Sequence, residues 1–179
     1  MNMPIDQLRR LYGLLAAASS ALQSPFLLVL RLYFFWQLFL TGKGKLLNIG
    51  KASEFFASLG IPLPTVNAYF IGSLECFGSL LLMVGLASRP LSLLIVVSMA
   101  VAYFTADFEA LSNTLSDPDK FVKADPFPFL FAALIVLVFG PGKFSLDAFL
   151  DRRLQRRSEG RPIAADPKGA PAGRGNINV

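Results

Sequence analysis

Four apolar blocks, with nearly all the charges confined to the connections between them, constrain this chain more than any other feature. The first, PFLLVLRLYFFWQLFLTG, runs from Pro25 to Gly42, and the second runs from about Val66 to Ala87. PLSLLIVVSMAVAYFTA covers Pro90 to Ala106, and PFPFLFAALIVLVFG covers Pro126 to Gly140. A bilayer-spanning helix needs roughly 20 predominantly apolar residues, with a usual range of about 17–25. The fourth block falls short and must borrow flanking residues or thin the bilayer locally, although Pro126 suits a helix start. Only Ser88 and Arg89 separate the second and third blocks, so these two form a tight antiparallel hairpin. Charged residues make up 16% of the chain and hydrophobic residues 54%, with a mean hydropathy of +0.53. A water-soluble domain carries about 25% charged residues. The expected fold class is therefore all-α, an integral-membrane four-helix bundle over residues 25–147.

Two residue counts narrow the chemistry. One cysteine, Cys76, excludes an intrachain disulfide or a C-x-x-C redox pair. The absence of histidine removes His-ligated haem, His-based zinc and His general-base catalysis, so no metal ligands are assigned.

With four spans, the N-terminus, the Arg89 turn and the C-terminal segment share one face. That face carries eleven Lys and Arg residues: Arg9, Arg10, Arg89, Lys143, Arg152, Arg153, Arg156, Arg157, Arg161, Lys168 and Arg174. The other carries five, Lys43, Lys45, Lys51, Lys120 and Lys123. The positive-inside rule then puts both termini in the cytoplasm. The net charge of +5 reads as a topology and headgroup signal. Nucleic acid is a poor partner, because the basic tail has no aromatic interleaving and no recognisable motif.

Residues 1–24 read as an N-terminal interfacial segment: a basic pair, a short soft apolar stretch from Leu11 to Ala18 and small residues resemble a signal peptide, but an uncleaved interfacial helix fits better. Residues 148–179 read as the end of a basic amphipathic helix followed by a disordered tail. Phe144, Phe149, Leu150 and Leu154 recur at near-helical spacing, with Ser145 as N-cap. Such a helix lies on the headgroups of a bilayer and favours anionic lipid. From Ser158 onward, Gly, Pro, Ala and charge dominate, the composition of disorder.

Glu75 is the sharpest candidate for chemistry. It sits among Ile, Leu, Phe, Met and Val within the second block, where an acidic residue costs about 2.5–3.5 kcal/mol on insertion scales. Gly72, Gly78 and Ser79 lie three or four positions away, giving that side of the helix a small surface that another helix can approach. Either Glu75 makes a structural interhelical hydrogen bond, or it handles a proton or ligand. Arg31, ~9 Å into the first span at 1.5 Å per residue, is a candidate partner, with snorkelling to the headgroups as its alternative. Tyr33, Gln37 and Thr41, spaced i, i+4, i+8, share one face and either line a polar pocket or bond neighbouring helices. Lys43, Lys45 and Lys51 form a basic patch at the outer mouth, where contact with headgroups is the plainest role. GKGK is not a phosphate loop.

LRLYFFWQLFLTGKGKL, LGIPLP, ECFGSLLLMVGLASRP and FGPGKFSLD, in that order, resemble the DoxX family of small bacterial four-helix membrane proteins over about Leu30 to Asp147. The resemblance matches the family's arginine entering the first helix to Arg31, its G-x-x-K to Gly42 and Lys45, and its acidic residue of the second helix to Glu75. Its glycine and arginine closing that helix fall on Gly85 and Arg89, and its G-P-G and S-L-D on Gly140 to Gly142 and Ser145 to Asp147. It implies a multi-pass protein of the bacterial inner membrane, a subunit or accessory of a quinone-linked oxidoreductase system, working with a partner redox enzyme. It implies electrons carried by a bound quinone or by a partner protein, and no covalently bound cofactor.

In this reading Glu75 is the catalytic, proton-exchanging group, with Arg31, Tyr33, Gln37 and Lys45 as ligand-binding residues. Two alternatives differ in class. One is a small transporter, which with four spans would have to oligomerise; the other is a non-catalytic anchor that docks a soluble enzyme through the C-terminal helix.

Overall fold

A computed structural model of the chain describes residues 5–159. Most of the tail expected to be disordered lies outside the described residues. Every regular element among the described residues is helical. The first helix, α1 (Ile5–Leu47), runs through Pro25 without a break. A proline in a helix interior removes one backbone hydrogen bond, which here does not end the helix. The boundary expected at residues 24 and 25 is thus no boundary in the backbone: the N-terminal segment and the first span are one helix. From Ile5 to Gln23 its described side chains are exposed, and burial begins at Ser24.

A short turn leads to α2 (Ile49–Ser58), which lies against the start of α3 (Pro64–Ser73). Ser53 and Thr65 share a 2.7 Å hydroxyl hydrogen bond between them. Five residues, Leu74–Gly78, then wind as a π-helix before α4 (Ser79–Val84) completes a continuous apolar rod from Pro64 to Val84. A hairpin turn leads into α5 (Ser88–Thr105). Two short helices, α6 (Phe108–Ser112) and α7 (Pro118–Lys123), form the connection to α8 (Phe127–Phe139), and α9 (Leu146–Glu159) follows.

Three helices, α1, the Pro64–Val84 rod and α5, are long and apolar enough to cross a membrane. The 13 residues of α8 reach only ~20 Å against a hydrocarbon core of ~30 Å. The short fourth block of the sequence is therefore a short helix, packed on α5 and α1. The buried core draws on all four: Leu30, Phe35 and Leu38 from α1, Leu82 from α4, Ile95 and Met99 from α5, and Ala132, Ala133 and Val136 from α8. The two alanines are fully buried, so their small side chains let α8 approach its neighbours closely.

The outside of the bundle is apolar instead. Leu32, Trp36, Phe70, Phe77, Val97, Phe104, Phe131 and Val138 are all exposed, an arrangement suited to lipid and costly in water. Between α5 and α8, Tyr103 stacks on Phe121 at 4.7 Å and donates a 2.7 Å hydrogen bond to its carbonyl. Phe121, Phe127 and Phe131 continue the ladder, tying the α6–α7 connection onto the bundle.

Candidate functional site

Two polar clusters lie at opposite ends of the bundle, and the one around Glu75 begins with a glycine. A side chain at Gly42 would put its Cβ 2.4 Å from the Cys76 nitrogen and 2.7 Å from Glu75 Cβ, so α1 passes the π-helical stretch backbone to backbone. π-Helical turns are rare and recur at functional sites. Lys45, three residues beyond Gly42, is carried round to the same face, and its Nζ donates to Glu75 Oε1 at 2.5 Å. The pair is unequal in exposure: 27% of the Lys45 side chain is accessible and 3% of Glu75. Glu75 Oε2 is buried with no hydrogen-bond partner.

Both side chains line a cavity of about 160 Å³. Its other walls are mostly apolar, with Ile71 from α3, Met99 and Ala102 from α5, and Phe55, Phe56 and Leu59 from α2 and its end. The position of α2 follows from its pattern, since Phe56 is buried while Lys51 and Glu54 are exposed. The connection from α2 to α3 is fixed by Asn67, which donates a 2.7 Å hydrogen bond to the Pro62 carbonyl. Exposed Phe55, Val101 and Ala106 leave one side of the cavity open.

Arg31 belongs to the other cluster. It is fully buried and donates to the carbonyls of Pro141 and Phe144 at 2.7 and 2.6 Å. Gly85, in the left-handed conformation with φ +74, leaves room for it: a Cβ there would lie 2.3 Å from Arg31 Nη1 and 2.5 Å from Ser145 Cβ. Asp147 closes the cluster, accepting hydrogen bonds from the backbone N–H groups of Ala87 and Ser88 at 2.8 and 2.9 Å. These are among the first N–H groups of α5, which no residue of the helix itself satisfies. The Asp147 N–H in turn bonds the Gly85 carbonyl at 2.9 Å. Burial alone would raise the Asp147 carboxyl's pKa, but the Ser88 and Ala87 contacts and the Arg31 charge outweigh it and hold the group below the usual aspartate range.

The expected pairing of Arg31 with Glu75 is therefore not formed, and neither is the snorkelling alternative. Glu75 lies level with Gly42, eleven residues along α1 from Arg31, or ~17 Å at 1.5 Å per residue. The edges of the apolar blocks do not fix this separation. In the fold α1 runs on to Leu47 and α3 starts well beyond the crossing point.

The two clusters join the residues of the G-x-x-K, acidic, glycine and S-L-D motifs, and a family model covers the first three. Residues 26–107 match the DoxX family. They form a DoxX domain. The chain is a membrane protein by this match and by its apolar helices. Comparison with curated proteins and with solved structures gave no match. The match stops at Asp107, before α8 and the Gly140–Asp147 segment, yet that segment is what Arg31 and Gly85 of the DoxX domain hold.

Tyr33 and Gln37 are exposed on α1 and do not line the Glu75 cavity. Tyr33 packs edge-on against Phe34, and Gln37 with Thr41 borders a separate groove against Val122–Phe129. The shared face expected for them is real, but it is the outer face of the DoxX domain. Conversely, Phe56, Ile71 and Met99 line the cavity but carry no polar signal in the sequence. The adjacent aromatic pair Phe55–Phe56 in the connection between the first two blocks was the available signal.

Proposed function

We propose that the DoxX domain binds the headgroup of a quinone in the Glu75–Lys45 cavity, and that Glu75 exchanges a proton with it on behalf of a partner redox enzyme in the bacterial inner membrane. The observation that carries this reading is the unpartnered Oε2 of Glu75 in the wall of an apolar cavity. A buried carboxylate oxygen left without a partner is costly, and a ligand hydroxyl would satisfy it. Lys45 has donors beyond the one on Glu75 and can bond a ligand carbonyl oxygen. The residues fit the group in size and polarity: about 160 Å³ takes one ring rather than a prenylated molecule, whose tail would leave through the open side by Phe55 and Val101.

A quinone supplies the two-electron couple, and a partner enzyme supplies the electrons. This chain's residues orient the ring, exclude water with Phe56 and Met99, and hold a transferable proton at Glu75 Oε2. Both termini face the cytoplasm in this reading, which places the cavity toward the opposite surface. Arg31 is a structural clamp, and Tyr33 and Gln37 lie on the outer face, away from the cavity.

The test is quinone content per polypeptide in protein purified in mild detergent, wild type beside Glu75→Gln and Lys45→Met. Near-stoichiometric quinone in the wild type, lost in both variants, supports the proposal. Equal trace amounts in all three would remove it.

A further inference from the structure

Five buried side-chain polar atoms have no hydrogen-bond partner among the described residues: Glu75 Oε2, Arg31 Nε and the hydroxyls of Ser79, Ser88 and Ser92. Buried groups of this kind are few in folded proteins, and each calls for a physical reason. These five are not scattered. Glu75 and Arg31 mark the two ends of the bundle, and the serines lie on the elements between them.

The order along that line follows from the packing. Ser79 lies four residues beyond Glu75 on the same rod, and Ser88 and Ser92 are one turn apart on α5. α4 and α5 are the two arms of a hairpin. A Cβ at Gly78 would lie 3.9 Å from Leu91 Cδ2, so with the arms antiparallel Ser92 lies about two residues' rise, ~3 Å, nearer the Glu75 end than Ser79. Ser88 then reaches Asp147, whose carboxylate accepts its N–H at 2.9 Å. All three serines are fully buried.

We propose that Ser79, Ser92 and Ser88, with water between them, form a proton path joining Glu75 to Asp147 at the far end of the bundle. The step from Ser92 to Ser88 is one α-helical turn, ~6 Å along the axis, the length of two hydrogen bonds of ~2.8 Å meeting at one water. Buried waters sit where otherwise unsatisfied polar groups face each other. Each hydroxyl accepts a proton on its oxygen and releases its own to the next, so one proton moves and no hydroxyl is left charged. Lys45 is the charge facing the Glu75 end and Arg31 the charge facing the Asp147 end. Arg31 is held by the Pro141 and Phe144 carbonyls and balanced by Asp147, so the exit is not an isolated positive barrier.

The inference rests on Glu75 being an exchangeable carboxylate, and the experiment separates the two. The full chain is reconstituted in vesicles with one orientation, and an acid jump is applied on one side at a time. Infrared difference spectroscopy follows the carboxyl band that Glu75→Gln removes. The expected result is that a jump on the Asp147 side protonates Glu75. Ser79→Ala and Ser92→Ala each slow this by about tenfold, equivalent to ~1.4 kcal/mol on the barrier. Ser79→Thr and Ser92→Thr, which keep the hydroxyl, retain the wild-type rate, as does the exposed-loop variant Ser116→Ala. Wild-type rates in both alanine variants, or a Glu75 band that answers only to the Lys45 side, would overturn the path while leaving the ligand site standing. If no band depends on Glu75, both readings fail together.

Discussion

Gly42 and Glu75 are in backbone-distance contact: a Cβ on the glycine would come within 2.7 Å of the glutamate's own Cβ and 2.4 Å of the next residue's nitrogen. Neither obstacle is a flexible side-chain end, so the helices would have to separate. Gly42→Ala is expected to destabilise the protein by about 1–3 kcal/mol, the usual range for overpacking. It should also lower quinone content by drawing Lys45 away from Glu75. Thermal unfolding in detergent reads the first effect and the extraction assay the second. Gly44→Ala, which meets nothing within 4 Å, is the matched comparison and should be neutral or slightly stabilising.

The Lys45–Glu75 pair carries its own thermodynamic signature. Removing one member of a buried pair strands the other, at about 3–5 kcal/mol, whereas replacing both can be nearly neutral. Lys45→Met should lie at about 3 kcal/mol, the low end of that range, because its side chain keeps 27% exposure. The double variant Lys45→Met with Glu75→Gln should recover most of the loss. A double-mutant cycle by thermal or denaturant unfolding measures this, and additivity of the two single effects would contradict the geometry.

At the opposite end, Arg31 bonds two carbonyls with two different nitrogens. A lysine has one nitrogen and cannot hold both in the same geometry. Arg31→Lys is expected to lose about 1.5–3 kcal/mol, the worth of one hydrogen bond to a charged group. Gly85→Ala should be at least as damaging, because it combines a positive φ with a Cβ placed on the guanidinium and on Ser145. Neither change touches the Glu75 cavity, so variants that still fold should keep their quinone. Melting temperature set against quinone content for the two variants separates the roles.

Much of this arrangement was legible in the sequence. The blocks gave the spans because a bilayer imposes a minimum apolar length, and Glu75 stood out because hydrocarbon penalises charge. The pairing of Lys45 with Glu75 was not legible. Its warrant is the register of α1 against the π-helical stretch, and register between helices depends on where backbones can touch. Gly42 marks that point, but a glycine in a sequence does not say what it faces. The separation of Arg31 from Glu75 was hidden for the same reason, since block edges do not fix the depth of one helix against another. Tyr33 and Gln37 were correctly placed on one face, and periodicity alone cannot tell an outward-facing polar stripe from one that lines the Glu75 cavity. Asp147 was visible only as part of a motif. Its capping of α5 joins residues 60 and 59 positions apart, beyond any local pattern.

Asp147 gives a pH dependence whose sign can be worked out. Hydrogen bonds from Ser88 and Ala87 and the Arg31 charge hold its folded-state pKa below the usual value despite partial burial. In the unfolded chain it titrates near ~3.9. A depressed folded-state pKa contributes stability that is fully present above the unfolded value and disappears as pH falls through the folded one. The Asp147 contribution to wild-type stability should therefore be flat from neutral pH down to about 5 and decline below about 4. Other carboxylates decline in the same window, including Glu109, whose exposed bond to Lys120 also lowers its pKa. The contribution of Asp147 is thus the difference between wild type and Asp147→Asn. At neutral pH the asparagine variant should be less stable by about 1.5–3 kcal/mol, because a neutral amide oxygen replaces a charged acceptor of two N–H groups. As the pH is lowered through 4 toward 2, that gap should close as the wild-type carboxyl takes up its proton. A gap that stays constant across this range in detergent unfolding experiments would mean that the charge of Asp147 does not hold the α4–α5 turn to α9.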